Sequence, residues 1–190
     1  MPTFLGMARV AVTALCVLAL AGCGSSRPEP AAKSPPPRKP ALSGAPAPLK
    51  DLYKQGNRLL DGGAPAYRAQ LRRLRGLPVV VNKWASWCGP CRLEFPWFQS
   101  LAEKRGGQIA FLGVNSNDSD ASAEQFLSEL PLPFPSYTDP DLKIAQDLGG
   151  PPQAFPSTTF YDRSGKLVLT HPGVYQDEQD LVADVNRYAR

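Results

Sequence analysis

The chain has 190 residues, 43% of them hydrophobic, and a net charge of +4. That is enough apolar content for one globular domain of ordinary size, and too mild a charge for a nucleic-acid-binding surface. The densest basic patch, Leu71-Arg72-Arg73-Leu74-Arg75, reads as the solvated face of a helix, and the 21 prolines are spread unevenly enough to divide the chain into parts.

Residues 1–22 read as a secretory signal: Arg9 precedes an apolar run over residues 10–20, shorter than the roughly 20 residues that span a bilayer. Cys16 within the run is a small hydrophobe. The run ends in Leu20-Ala21-Gly22-Cys23, which resembles the lipobox of bacterial lipoproteins. That resemblance implies cleavage before Cys23 and a diacylglycerol group on its sulfur, two acyl chains anchoring stably where one does not. An uncleaved signal anchor or a plain secretory signal are the alternatives. Residues 23–48 are then a lipidated cysteine followed by a disordered tether. Arg27-Pro28-Glu29-Pro30, Pro35-Pro36-Pro37 and Ala45-Pro46-Ala47-Pro48 offer nothing to bury and favour an extended chain of about 3.1 Å per residue. A ligand for an SH3-type domain is the other reading of such a stretch.

Residues 49–190 are the expected folded domain. A short helix is predicted over residues 49–60, with Asp61-Gly62-Gly63 as a turn. Tyr67, Leu71 and Leu74 share a helical face that Gly76 and Pro78 close. A β-branched run predicts a strand over residues 79–84. A helix follows to about Arg105, with Phe95, Phe98, Leu101 and Ala102 on one face. Residues 108–114 read as a second buried strand and 115–120 as a polar loop offering an N-cap. Residues 121–130 read as a helix, 131–135 as a connector and 141–148 as another short helix. Residues 158–161 and 166–170 read as a hairpin around Asp162-Arg163-Ser164-Gly165. Residues 179–190 close the chain as a helix, with Leu181, Val182, Val185 and Tyr188 inward. Strands alternating with helices before a hairpin indicate an α/β fold, a central mixed sheet flanked by helices.

Cys88 and Cys91 stand where the 79–84 strand ends and a helix begins. A thiol there faces unpaired N–H groups and the positive end of the helix dipole, which favours the thiolate. Pro90 suits the first turn, where its missing N–H has no partner to lose. This is the pattern of a redox dithiol, with Cys88 as the reachable nucleophile and Cys91 as the resolving thiol one turn in. Half of a zinc site is the first alternative, but Cys16, Cys23 and His171 are the only other cysteines and histidine. An inert structural disulfide is the second, although so short a loop stabilises little.

Trp87-Cys88-Gly89-Pro90-Cys91 resembles the active-site motif of the thioredoxin superfamily. Pro96 matches the proline of its active-site helix, and Pro156 in Phe155-Pro156-Ser157 matches its cis-proline. The flanks Val81-Asn82-Lys83-Trp84-Ala85-Ser86 and Glu94-Phe95-Pro96 are more like the membrane-tethered TlpA/ResA branch. The resemblance implies a thioredoxin fold with a proton-handling acid at Glu94, for which a surface ion pair is the alternative. It also implies a client-binding edge made by Trp87, Gly89, Pro90, Phe155 and Pro156, with Trp84 packed behind. Three positions depart from commoner patterns: Asn82 where thioredoxin has a buried Asp, Lys83 where most relatives have Phe, and Phe155 where small or β-branched residues prevail.

The expectation is therefore a monomeric thiol–disulfide oxidoreductase, lipid-anchored outside the cytoplasm of a bacterium, without cofactor, metal or nucleic-acid partner. Its partners would be protein disulfide or thiol clients such as apocytochrome c, the membrane, and a CcdA/DsbD-like electron donor if it reduces. A disulfide-forming oxidant and a non-catalytic binding module are the alternatives. A peroxiredoxin-type peroxidase needs Thr where Ala85 stands, and Sco-type copper delivery needs a C-x-x-x-C spacing.

Overall fold

The computed structural model describes Met1 and residues 38–190. The expected signal, Cys23 and the tether up to residue 37 lie outside the described residues. From there the chain runs through α1 (Ala47–Tyr53), β1 (Leu59–Leu60), α2 (Gly63–Arg73), β2 (Val79–Trp84), α3 (Gly89–Arg105) and β3 (Ala110–Ser116). It continues through α4 (Asp120–Glu129), β4 (Ser136–Asp139), a 3-10 turn (Ala145–Leu148), β5 (Ser157–Tyr161), β6 (Leu167–Pro172) and α5 (Glu178–Tyr188). The expected boundary at residue 49 falls inside α1, and before it Ala45 is already buried and Leu42 packs on the core.

The strands form one mixed sheet in the order β1-β4-β3-β2-β5-β6. β2 pairs in parallel with β3, and β5 runs antiparallel between β2 and β6. Every residue of β2 and β3 is buried, because helices cover both sheet faces and leave such strands no polar side. Alternation along β2 divides its side chains. Val80, Asn82 and Trp84 face α3, α4 and α5, as the contacts of Trp84 with Phe95 and Phe126 and of Phe160 with Tyr188 indicate. Val79, Val81 and Lys83 face the other way with Thr159 and Tyr161, towards α2, whose Tyr67 hydroxyl donates to that of Tyr161 at 3.3 Å.

Two strands are missing from the sequence pattern. β1 is two residues long and occupies the end of the predicted first helix, which stops at Tyr53. That tyrosine's hydroxyl instead bridges the start of β3, donating to the Ile109 carbonyl at 2.8 Å and accepting from Phe111 N–H at 3.2 Å. β4 is four residues flanked by Pro135 and Pro140, too short and too polar to announce itself. The predicted helix over residues 141–148 is reduced to the 3-10 turn. Asp139 accepts from the N–H groups of Ile144 and Ala145 at 2.7 and 2.9 Å, holding the turn to the end of β4.

Candidate active site

β2 delivers the chain to the site, and Trp84 fixes its end. The indole lies 5.2 Å from both Phe95 and Phe126 and donates to Ser136 Oγ at 3.0 Å. Gly113 on β3 makes the room: a Cβ there would stand 2.0 Å from the same Ser136 Oγ. The loop after β3 braces the next turn. Asp118 accepts from the Ser86 N–H at 2.6 Å, from the Ser86 hydroxyl at 2.8 Å and from the Asn115 amide at 2.9 Å. Trp87 is 56% exposed, yet its indole N–H is held by the Asn117 carbonyl at 2.8 Å. The sequence pattern shows only a polar loop with an N-cap there. The cap is Ser119, and the longer reach of Asn117 and Asp118 leaves no local signal.

Cys88 is the N-cap of α3, its Sγ accepting from the Cys91 N–H at 3.2 Å, with Gly89 and Pro90 exposed in the first turn. The two cysteines are joined as a disulfide with their Cα atoms 5.3 Å apart. Both cysteines are buried, Cys88 at 4% and Cys91 at 1%, so the Cys88 expected to be exposed is not an open thiol in this disulfide. In the disulfide its sulfur folds back over the first helical turn, and the open surface belongs to Trp87. Pro96 sits inside α3, where it removes one helical N–H.

Glu94 lies one turn beyond Cys91 on the same side of the helix. It is fully buried, which overturns the surface ion pair. Oε1 accepts from the Tyr175 N–H at 2.7 Å, while Oε2 has no hydrogen-bond partner among the described residues. Burial pushes the carboxyl up to about 7, the Tyr175 bond acting the other way. On the sheet face beneath α3, the buried Asn82 amide and Thr158 hydroxyl also lack partners among the described residues. Tyr175 further donates its hydroxyl to Asp184 at 2.9 Å, and its ring stacks at 3.9 Å on His171, which lies in β6 just past the end of the strand expected over residues 166–170.

The opposite rim is built by the segment before β5. The Phe155–Pro156 bond is cis, and the Phe155 ring lies 4.8 Å from that of Trp87. Pro156 is buried, its carbonyl accepting from Gly173 N–H at 2.8 Å. The N–H and C=O of Phe155 make no hydrogen bond among the described residues. The structure thus gathers Trp87, Cys88, Gly89, Pro90, Cys91, Glu94, Phe155 and Pro156 at one end of the sheet. Cys23 lies outside the described residues. No group of three or more His, Cys, Asp and Glu side chains suited to a metal converges among the described residues.

Residues 48–186 match the Redoxin family. The chain is 35% identical over 126 residues to the thiol:disulfide interchange protein DsbE of Pseudomonas aeruginosa, covering 66% of this chain and 63% of that protein. It is 30% identical over 105 residues to the thiol-disulfide oxidoreductase ResA of Halalkalibacterium halodurans, covering 55% and 58%. The chain thus spans less than two thirds of the length of these relatives. The crystal structure of the exposed lipoprotein thioredoxin Etrx1 of Streptococcus pneumoniae superposes with a TM-score of 0.51 at 27% identity, over 62% of this chain and 89% of that one. With a six-stranded mixed sheet of thioredoxin type and a C-x-x-C disulfide at the head of α3, the chain belongs to the Redoxin family, in the TlpA/ResA-like branch of the thioredoxin superfamily.

Proposed function

We propose that this chain is a thiol–disulfide oxidoreductase that reduces disulfides in proteins outside the cytoplasm. The observation that carries this reading is the Cys88–Cys91 disulfide at the head of α3 with a buried, half-satisfied Glu94 one turn behind it. In the reduced protein the Cys88 thiolate, favoured by the helix N-terminus, attacks one sulfur of a client disulfide. A mixed disulfide forms and the first client thiolate leaves. Cys91 passes its proton to the Glu94 carboxylate, and its thiolate attacks Cys88 Sγ. This closes the protein disulfide and releases the second client thiolate. Two electrons move from the dithiol to the client, and the two client sulfurs end protonated, one proton coming by way of Glu94. A carboxyl near 7 can both take and release that proton at neutral pH.

The N–H and C=O of Phe155, which no described residue takes up, suit a client backbone that adds itself like a strand. Trp87 and Phe155 give it an apolar rim, with Gly89 and Pro90 beside the sulfur. The TlpA/ResA resemblance favours haem-site cysteines of apocytochrome c as clients and a CcdA/DsbD-like membrane protein as the source of electrons. Lipidation of Cys23 would keep the domain at the membrane, a reading supported by the lipobox and by the likeness to an exposed lipoprotein.

The deciding experiment equilibrates the full chain with defined thiol buffers and reads the Cys88–Cys91 redox state. A potential near the thioredoxin value of about −270 mV supports the reductant, and one towards about −120 mV makes the protein an oxidant instead. A pair that does not cycle overturns the enzymatic reading.

A further inference from the structure

Lys83 is 1% exposed, in the middle of a sheet whose neighbouring strands carry no carboxylate in contact with it. A buried ammonium must find partners or lose its charge, and this one finds them in a single segment. Nζ donates to the carbonyl of Pro151 at 3.2 Å and of Pro152 at 2.6 Å, and stands 4.7 Å from the centre of the Phe155 ring. Two carbonyls and one aromatic face match the three N–H bonds of a lysine.

The segment needs such a donor from outside. Its tandem prolines have no N–H of their own, so it cannot be tied down through their amides. Its two ends are pinned elsewhere. The Leu148 carbonyl accepts from Thr159 Oγ1 at 3.1 Å and from Thr170 Oγ1, and the Pro156 carbonyl is held by Gly173 N–H. Between these pins, Lys83 supplies the side-chain hydrogen bonds to the segment. Its last contact, Phe155, is the residue whose ring meets Trp87 at the mouth of the disulfide.

We propose that Lys83 is a positioning residue: it straps residues 149–156 to the sheet and, through Phe155, sets how well a client peptide docks beside Cys88. Lys83 touches neither sulfur and takes no part in the exchange itself. The proposal rests on the reading of Phe155 as a docking edge. It assigns a role to one of the three positions that depart from the commoner patterns of the family the sequence resembles, and it separates docking from chemistry.

The test uses the full chain, pre-reduced, in single-turnover reactions with two oxidants: a synthetic peptide closed by a Cys-x-x-Cys disulfide, and hydroxyethyl disulfide, which is too small to use the rim. In Lys83→Met the half-saturating peptide concentration should rise about tenfold, the scale of losing one or two hydrogen bonds to a charged group. The limiting rate, the rate with hydroxyethyl disulfide and the dithiol–disulfide equilibrium constant should all stay within about twofold of wild type, as expected for a group that makes only ground-state contacts. Equal losses on both oxidants, or an unchanged peptide dependence, would overturn the proposal. Should Lys83→Met fail to fold, the folded Cys91→Ala chain answers the same question. The NMR signal of the Lys83 side chain should shift when the peptide is trapped on Cys88, and should not shift when a single hydroxyethyl thiol is. An identical signal in both adducts overturns the strap. If the wild-type chain reduces neither oxidant, it is the oxidoreductase reading that fails.

Discussion

Glu94 and Lys83 are both buried ionisable groups on elements that meet at the disulfide, and they lie on opposite faces of the sheet. Burial moves both towards neutrality, Glu94 up to about 7 and Lys83 down to about 8. Their surroundings differ more than their shifts do. Every N–H of Lys83 has an acceptor or a ring before it, so the donors of its charged form are all provided for. Among the described residues Glu94 has one oxygen bonded and one without a partner, so neither protonation state is fully provided for there. Full satisfaction suits a fixture, and partial satisfaction suits a group that must change state during a reaction.

The largest test of this contrast is the pH dependence of stability through Glu94. A carboxyl whose folded value is raised from 4.5 to about 7 stabilises the fold fully below 4.5 and loses that contribution as the pH rises through 7. Urea unfolding of wild type should therefore weaken by about 3 kcal/mol between pH 4.5 and 7 relative to Glu94→Gln. The same substitution should slow closure of the mixed disulfide about 100-fold at neutral pH, the usual scale for a lost proton acceptor. A Glu94→Gln variant whose stability follows pH as wild type's does would show that Glu94 does not change protonation between pH 4.5 and 7 on unfolding.

Lys83 should give the opposite slope at the other end of the scale. Its folded value is lowered from 10.5 to about 8, so its contribution is complete above 10.5 and is lost as the pH falls through 8. Wild type should gain about 1.5 kcal/mol between pH 8 and 9.5 that Lys83→Met does not. The nearby charge of Asp139 opposes the shift, so Asp139→Asn should steepen the gain, though it also releases the turn after β4.

How much of this was readable beforehand follows from the range over which each feature is determined. β2 and α3 are marked by local composition and by the cysteine pair, and the structure gives them the expected limits of Trp84 and Arg105. Glu94 falls on the right side of α3 by helical spacing alone. β4 was not readable, because four residues held between two neighbours carry no periodicity of their own. The sequence pattern gives Asp118 and Lys83 no role for a related reason. Their partners lie 32 and 68 or 69 residues away in the chain, and a lysine inside a buried strand contradicts the pattern until the carbonyls that receive it are known.

The finest test of the contrast sits in two adjacent threonines. Thr158 points to the α3 face with its hydroxyl buried and without a partner among the described residues. Thr159 points to the Lys83 face, where its hydroxyl donates to the Leu148 carbonyl at 3.1 Å and meets Thr170 Oγ1 at 3.1 Å. Replacing either by Val keeps the shape and removes the hydroxyl. At Thr158 the change removes a buried polar group that gained nothing, and should stabilise by about 1 kcal/mol. At Thr159 it breaks a satisfied contact at the root of the strap, and should destabilise by about 1 kcal/mol. In a chain of this size each corresponds to about 3 °C in thermal midpoint, so the two variants should melt on opposite sides of wild type. Shifts of the same sign would mean that the two faces do not differ in how they provide for polar groups, and that the half-satisfied state of Glu94 reflects its own position on α3 rather than the character of the layer beneath it.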